Sequence, residues 1–150
     1  MLFRSLLAQS TQRGSAMVRQ LLTFARGRDG ERAPVDGQRL IREMAQIVRS
    51  TFPRNIILDV QAAREVSETK GDSTQLHQVL LNLCVNARDA MREGGVIRLG
   101  ISDFEVPENL PDCIPEPKAG RHVCLFVEDD GPVMPPHVVA RIFDPFFTSK

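Results

Sequence analysis

Residues 77–91 read HQVLLNLCVNARDAM. Together with Leu76, the apolar residues Val79, Leu80, Leu83, Cys84, Ala87 and Met91 cover a wide face at the 3.6-residue period of an α-helix. Leu81 and Val85 extend that surface around the cylinder, so the sequence predicts a helix buried on most sides. Yet Asn82, Asn86 and Asp89, at i, i+4 and i+7, form one polar ridge along it. A buried polar group without a partner costs roughly 1–3 kcal/mol. Either neighbouring backbone and water satisfy this ridge, or something that binds there does.

Working outward, Asp72 is placed to cap the start of this helix, which is expected to run to about Arg92 before Glu93-Gly94-Gly95 ends it. VIRLGIS (96–102) alternates like a half-buried strand, and HVCLFVED (122–129) reads as a buried one. Between them, four prolines in residues 105–120 predict a loop. GPVMPP is a turn and HVVARIF a short helix. Upstream, Asp36 is expected to cap a helix to about Ser50, with Leu40, Ile41, Met44, Ile47 and Val48 on one side. Pro53 marks the turn after it, and NIILDV (55–60) is strand-like. RGRDGERAP (26–34) has the composition of a linker. Residues 2–26 predict a further helix, with Phe3, Leu7, Ser10, Gly14, Met17, Leu21 and Phe24 at alternating spacings of four and three. That seven-residue repeat belongs to helices that pair with other helices, although Ser10 and Gly14 weaken its middle.

The composition sets bounds on function. The chain has 150 residues, 42% hydrophobic and 25% charged, as in an ordinary globular domain. Zero formal net charge gives no global electrostatic case for nucleic acid or an anionic membrane. The distribution is uneven: residues 1–34 set six arginines against Asp29 and Glu31, and residues 101–120 set five acids against Lys118. Both read as solvated segments. Cys84, Cys113 and Cys124 are too few and too far apart for a disulfide framework or a zinc site, and Cys84 and Cys124 are expected in the core. No run approaches the length of a membrane span, and the N-terminal apolar stretch is too short for a secretion signal, so a cytoplasmic setting is expected.

Three segments taken together carry a family resemblance. HQVLLNLCVNARDAM resembles the N box of sensor histidine kinases of two-component systems. VEDDGPVM (127–134) resembles their first glycine box, D-x-G-x-G, and FDPFF (143–147) their F box. MVRQLLTFARG (17–27) is similar to the end of the second dimerisation helix in the same kinases. The resemblance implies an α+β chain. Residues 1–30 would be the end of a dimerisation domain. Residues 31–150 would be the ATP-binding domain, a partial Bergerat-type sandwich in which helices cover a mixed sheet, truncated before the second glycine box. It also implies roles. Asn86 would hold Mg2+ bridging the triphosphate of ATP, and Asn82 would sit near the phosphates, where related ATPases often place a catalytic glutamate. Arg88 and Asp89 would line the pocket. Asp129 would accept a hydrogen bond from the adenine amino group, and Gly131 would let the backbone approach the base. Phe143, Phe146 and Phe147 would pack at the base of a lid over the nucleotide, and Lys150 joins the nucleotide-binding set. The implied partners are ATP, the receiver domain of a response regulator, and a second copy of the chain through residues 2–26.

The sequence departs from this family in three ways. None of His77, His122 and His137 sits in an acceptor box, so the chain is expected not to phosphorylate itself. The second glycine-rich box is not in the sequence, which reads as a fragment or truncated product of a kinase. Val133 stands where the second glycine of D-x-G-x-G belongs. A rival expectation is therefore a degenerate, non-catalytic module that docks a partner kinase or regulator. Val133 and the missing acceptor favour it, whereas the N box and F box favour a nucleotide site. A phosphotransfer protein is a weaker third, for want of an acceptor histidine on a helix face.

Overall fold

A computed structural model of the chain describes residues 32–108 and 117–141. The expected helix at residues 2–26, the domain boundary near residue 30, Cys113, the F-box phenylalanines Phe143, Phe146 and Phe147, and Lys150 all lie outside the described residues. The described chain is α+β, with two main helices on one face of a mixed sheet. Its elements run β1 (Ala33–Val35), α1 (Gly37–Thr51), β2 (Ile56–Ala62), β3 (Thr69–Gly71), α2 (Ser73–Ala90), β4 (Gly95–Val106), β5 (Gly120–Asp129) and α3 (Pro136–Val139).

Both main helices start where the sequence predicts. The Asp36 carboxylate accepts from the Arg39 amide at 2.9 Å. The Asp72 carboxylate accepts from Thr74 at 2.8 Å and Gln75 at 3.1 Å. Each cap contributes about 1 kcal/mol. α2 ends at Ala90, two residues before the expected Arg92, with Met91 as its C-cap; in the turn that follows, Gly94 has φ +104°, and a Cβ there would lie 2.5 Å from the Asn55 carbonyl oxygen. Only glycine turns the chain so sharply against that carbonyl.

The main sheet has the order β2–β4–β5, with β2 parallel and β5 antiparallel to the central β4. Ile97, Leu99 and Ile101 project from β4 toward the helices and are fully buried. Leu40, Ile41, Met44, Ala45 and Val48 of α1 meet them, as do Leu80, Cys84 and Ala87 of α2 and Met91 just after it. Removing a large side chain from such a core costs about 2–5 kcal/mol. Burial also pushes the Cys84 thiol up to about 11, so it is an inert packing group.

Three expectations need correction. First, α2 is not buried on most sides. It buries the row Leu80, Cys84, Ala87 and Met91, while Val79 (54% exposed) and Leu83 (41%) look outward with Asn86. The sheet covers one side of the helix only. Second, the linker assigned to residues 26–34 enters a strand. Ala33–Val35 pairs antiparallel with Thr69–Gly71 in a separate two-stranded ribbon, and β4 and β5 both extend beyond the stretches whose alternation is legible. Third, Cys124 is only half-buried, because it lies on the outer face of the sheet, paired with Ser102.

Register also explains how distant segments meet. The turn after α2 feeds directly into β4, and Ile97 near the start of β4 pairs with Asp129 at the end of β5. The last turn of α2 and the end of β5 are thereby brought to the same end of the sheet, although some 40 residues separate them.

Candidate functional site

At that shared end, Ala90, Met91, Arg92, Glu93 and Gly94 face Asp130, Gly131 and Pro132 across a cavity of about 300 Å³. Gly131 makes the approach possible. A Cβ on it would lie 3.3 Å from both the Ala90 Cβ and the Met91 Cγ, and 2.6 Å from Oδ1 of Asp129. That same Oδ1 accepts the Gly131 amide hydrogen at 2.8 Å, which folds the strand end into a tight turn. Asp129 is exposed and is not itself in the cavity wall; its own turn holds its carboxylate beside Gly131, which is.

The polar ridge of α2 resolves into three different environments. Asn82 is half-buried, and its Oδ1 accepts from Gln78 Nε2 at 3.0 Å on the preceding turn. Asn86 is exposed, one turn before Ala90 in the cavity wall, and its amide makes no hydrogen bond among the described residues. Asp89 is half-buried and accepts from Nε and Nη2 of Arg88 at 3.1 and 2.8 Å. Arg88 in turn lies over the Phe52 ring, 5.0 Å from its centroid. Neither Arg88 nor Asp89 is in the wall of the 300 Å³ cavity. The premise of a buried ridge also falls, since no polar or charged side chain among the described residues is fully buried. Nothing forces the ridge to find protein partners; Asn86 presents a free amide to whatever occupies the α2 face.

The rest of the turn contains one contact that sequence reasoning missed. Arg98 on β4 donates through Nη1 to Oδ1 of Asp130 at 2.9 Å. The hydrogen bond and charge of Asp130 hold the guanidinium pKa above its ordinary value. No local signal could have shown it, because the two residues are 32 apart and meet only through the β4–β5 register. Val133 is 93% exposed and stands outside the cavity wall.

The histidines sit elsewhere. His77 bridges Ser73 O (3.1 Å) and the Glu43 carboxylate (3.1 Å), and His122 contacts Gly120 O at 3.0 Å. His137 lies in α3. Among the described residues no three His, Cys, Asp or Glu side chains converge on a metal position. A cation at this site would have to rely on an amide oxygen and on oxygens brought by a ligand. Mg2+ accepts such a set, because it commonly keeps few protein ligands and shares phosphate oxygens. The free Asn86 amide fits it.

An α+β layer with an N-box helix facing a strand-end aspartate and a close-packed glycine describes a nucleotide-binding ATPase domain. Comparison with known proteins agrees. Residues 71–150 match the model of the histidine kinase-, DNA gyrase B- and HSP90-like ATPases, and the chain belongs to that family, on its sensor histidine kinase side. It is 32% identical over 144 residues to the sensor kinase CckA of Brucella abortus (strain 2308), covering 96% of this chain and 15% of that protein. It is 29% identical over 148 residues to the sensory histidine kinase/phosphatase NtrB of Rhodobacter capsulatus, covering 97% of this chain and 40% of NtrB. The solved structure of histidine kinase ThkA in complex with the response regulator protein TrrA superposes with a TM-score of 0.71 at 26% identity. That match covers 95% of this chain and 39% of the kinase. The chain thus spans well under half the length of these relatives.

Proposed function

We propose that the chain is the ATP-binding portion of a sensor histidine kinase. The observation that carries this is the meeting of α2 and the β5 turn: Gly131 packs against Ala90 and Met91 while its amide holds the Asp129 carboxylate at the rim. The cavity of about 300 Å³ would take adenine, with Asp129 accepting from its amino group. From there the exposed face of α2 leads back one turn to Asn86 and another to Asn82, a path for the triphosphate. Asn86 would hold Mg2+, which when bound neutralises phosphate charge; Asn82 would orient the phosphates. Phe143, Phe146, Phe147 and Lys150 would contribute a lid. In the whole protein, the γ-phosphoryl of ATP would pass to a histidine and then to an aspartate on a response regulator, largely by positioning and charge neutralisation. Such a kinase portion would face the cytoplasm and pair with a second copy through residues 2–26.

One observation favours a second reading, a non-catalytic docking module: Val133, at the second glycine of D-x-G-x-G, is 93% exposed. Titration of the isotope-labelled chain with Mg2+ and a nonhydrolysable ATP analogue, followed by amide NMR, separates the two. The nucleotide reading expects saturable shifts concentrated at Asn82, Asn86, Asp129 and Gly131. A spectrum that does not change, or that changes only at distant surfaces, favours the docking module.

A further inference from the structure

Resting on the nucleotide reading, we propose that Arg98 is a positioning residue for the adenine site, acting from the opposite face of the sheet. Side chains alternate along β4 and β5, so Ile97, Leu99 and Val127 face the helices while Arg98 and Glu128 face away. Asp129, paired with Ile97, falls on the helix side. Asp130 is drawn to the outer side by Arg98, at 2.9 Å, while its amide donates to Val96 O at 3.3 Å. The turn is therefore held at two points on β4, one backbone and one ionic, immediately before Gly131. A turn fixed with Asp130 outward leaves Asp129 and Gly131 facing α2. Without the outer anchor only the 3.3 Å backbone bond holds the turn to β4, and the carboxylate of Asp129 is aimed less firmly.

Arg98 has other acids to choose from, which makes its choice informative. In register, Asp59 of β2 and Glu128 of β5 flank it on either side. Both act on it only through charge, whereas its hydrogen bond goes to Asp130. A guanidinium serving merely to balance charge on the sheet face would be satisfied by its strand neighbours. This one reaches along the strand to the turn.

The test uses the full chain with Arg98→Gln, the charge-swapped pair Arg98→Asp with Asp130→Arg, and Asp59→Asn as a control that changes the same charge row without touching the turn. Amide hydrogen exchange at Asp130 and Gly131, and affinity for a nonhydrolysable ATP analogue with Mg2+, are read for each. A half-exposed pair of this kind changes an equilibrium by up to about fivefold. Arg98→Gln is expected to speed exchange at Asp130 and Gly131 and to weaken nucleotide binding by a similar factor, with Ile97 and Leu99 amides unchanged. The swapped pair restores slow exchange at Gly131, its affinity being left out of the comparison because Asp130 lines the cavity, and Asp59→Asn alters neither readout. Unchanged exchange at Gly131 overturns the proposal, as does acceleration spread evenly over β4, or weaker binding in Asp59→Asn equal to that in Arg98→Gln. If the native chain binds no adenine nucleotide, the ATP reading falls by that result. The exchange data then decide separately whether Arg98 fixes the turn.

Discussion

Replacing Gly131 by alanine tests the site at its tightest point. Among the described residues the glycines with positive φ are Gly94 and Gly120, not Gly131, so alanine there imposes no backbone strain. The effect is steric and local. The new methyl would sit 2.6 Å from Oδ1 of Asp129, closer than any real Cβ contact, and 3.3 Å from Ala90 and Met91. The aspartate side chain must swing away, and the 2.8 Å bond from the Gly131 amide is lost. A hydrogen bond to an exposed carboxylate of this kind is worth about 1 kcal/mol net. Misdirection of the carboxylate from the base adds a similar loss in the complex, so ATP affinity should fall by roughly ten- to thirtyfold. Stability should change little, because the turn is exposed and the buried core lies beneath it. Calorimetric titration of the native and Gly131→Ala chains with a nonhydrolysable ATP analogue, beside their melting curves, provides the assay. Equal affinities would refute the claim that Asp129 and Gly131 form the base-recognition corner. A large drop in melting temperature would instead make Gly131 a packing residue.

Other outcomes follow from the same structure. Val133→Gly should tighten nucleotide binding by up to about tenfold if the family's turn uses a backbone region that costs a β-branched residue about 1–2 kcal/mol, and calorimetry would show equal affinities if Val133 is harmless. Sedimentation should show the full chain as a dimer and a version lacking residues 1–26 as a monomer; two monomers would remove the proposed helix pairing. The amide and hydroxyl of Ser67 donate to Asp103 and hold its carboxyl below the usual carboxylate range. A depressed folded value contributes stability above the ordinary aspartate value of about 3.9, and that contribution is lost as pH falls through the lower folded value. Melting temperature should therefore drop more steeply below about pH 4 in the native chain than in Asp103→Asn, and parallel curves would contradict the clamp.

The elements that sequence revealed are those set by local chemistry. Asp36 and Asp72 announce their helices because a short acidic side chain satisfies amides within three residues, and Gly94 marks the turn after α2 because its position has positive φ. The turn at Asp129–Gly131 was legible for a similar reason, as a glycine next to a strand end, whereas a nucleotide role for it came from the resemblance. What stayed hidden depends on tertiary arrangement. The β1–β3 ribbon consists of three-residue strands, too short for alternation to register. Apolar residues alone overstate the burial of α2, because only the position of the sheet shows that Val79 and Leu83 stay partly exposed. The 300 Å³ cavity and the Arg98–Asp130 pair both arise from the β4–β5 register, which joins residues that sequence separates.

The most direct measurement of the central claim is the affinity of the chain for a nonhydrolysable ATP analogue, with and without Mg2+, beside Asn86→Ala. Asn86 is exposed and its amide unpaired among the described residues, so alanine removes the proposed Mg2+ ligand without opening the core, and as the better helix former it should hold or raise the melting temperature. Saturable binding to the native chain that weakens without Mg2+ is expected, with binding to Asn86→Ala weak in both conditions. Binding that is indifferent to Mg2+ and equal in the two proteins, or a variant that unfolds while affinity is kept, would contradict it.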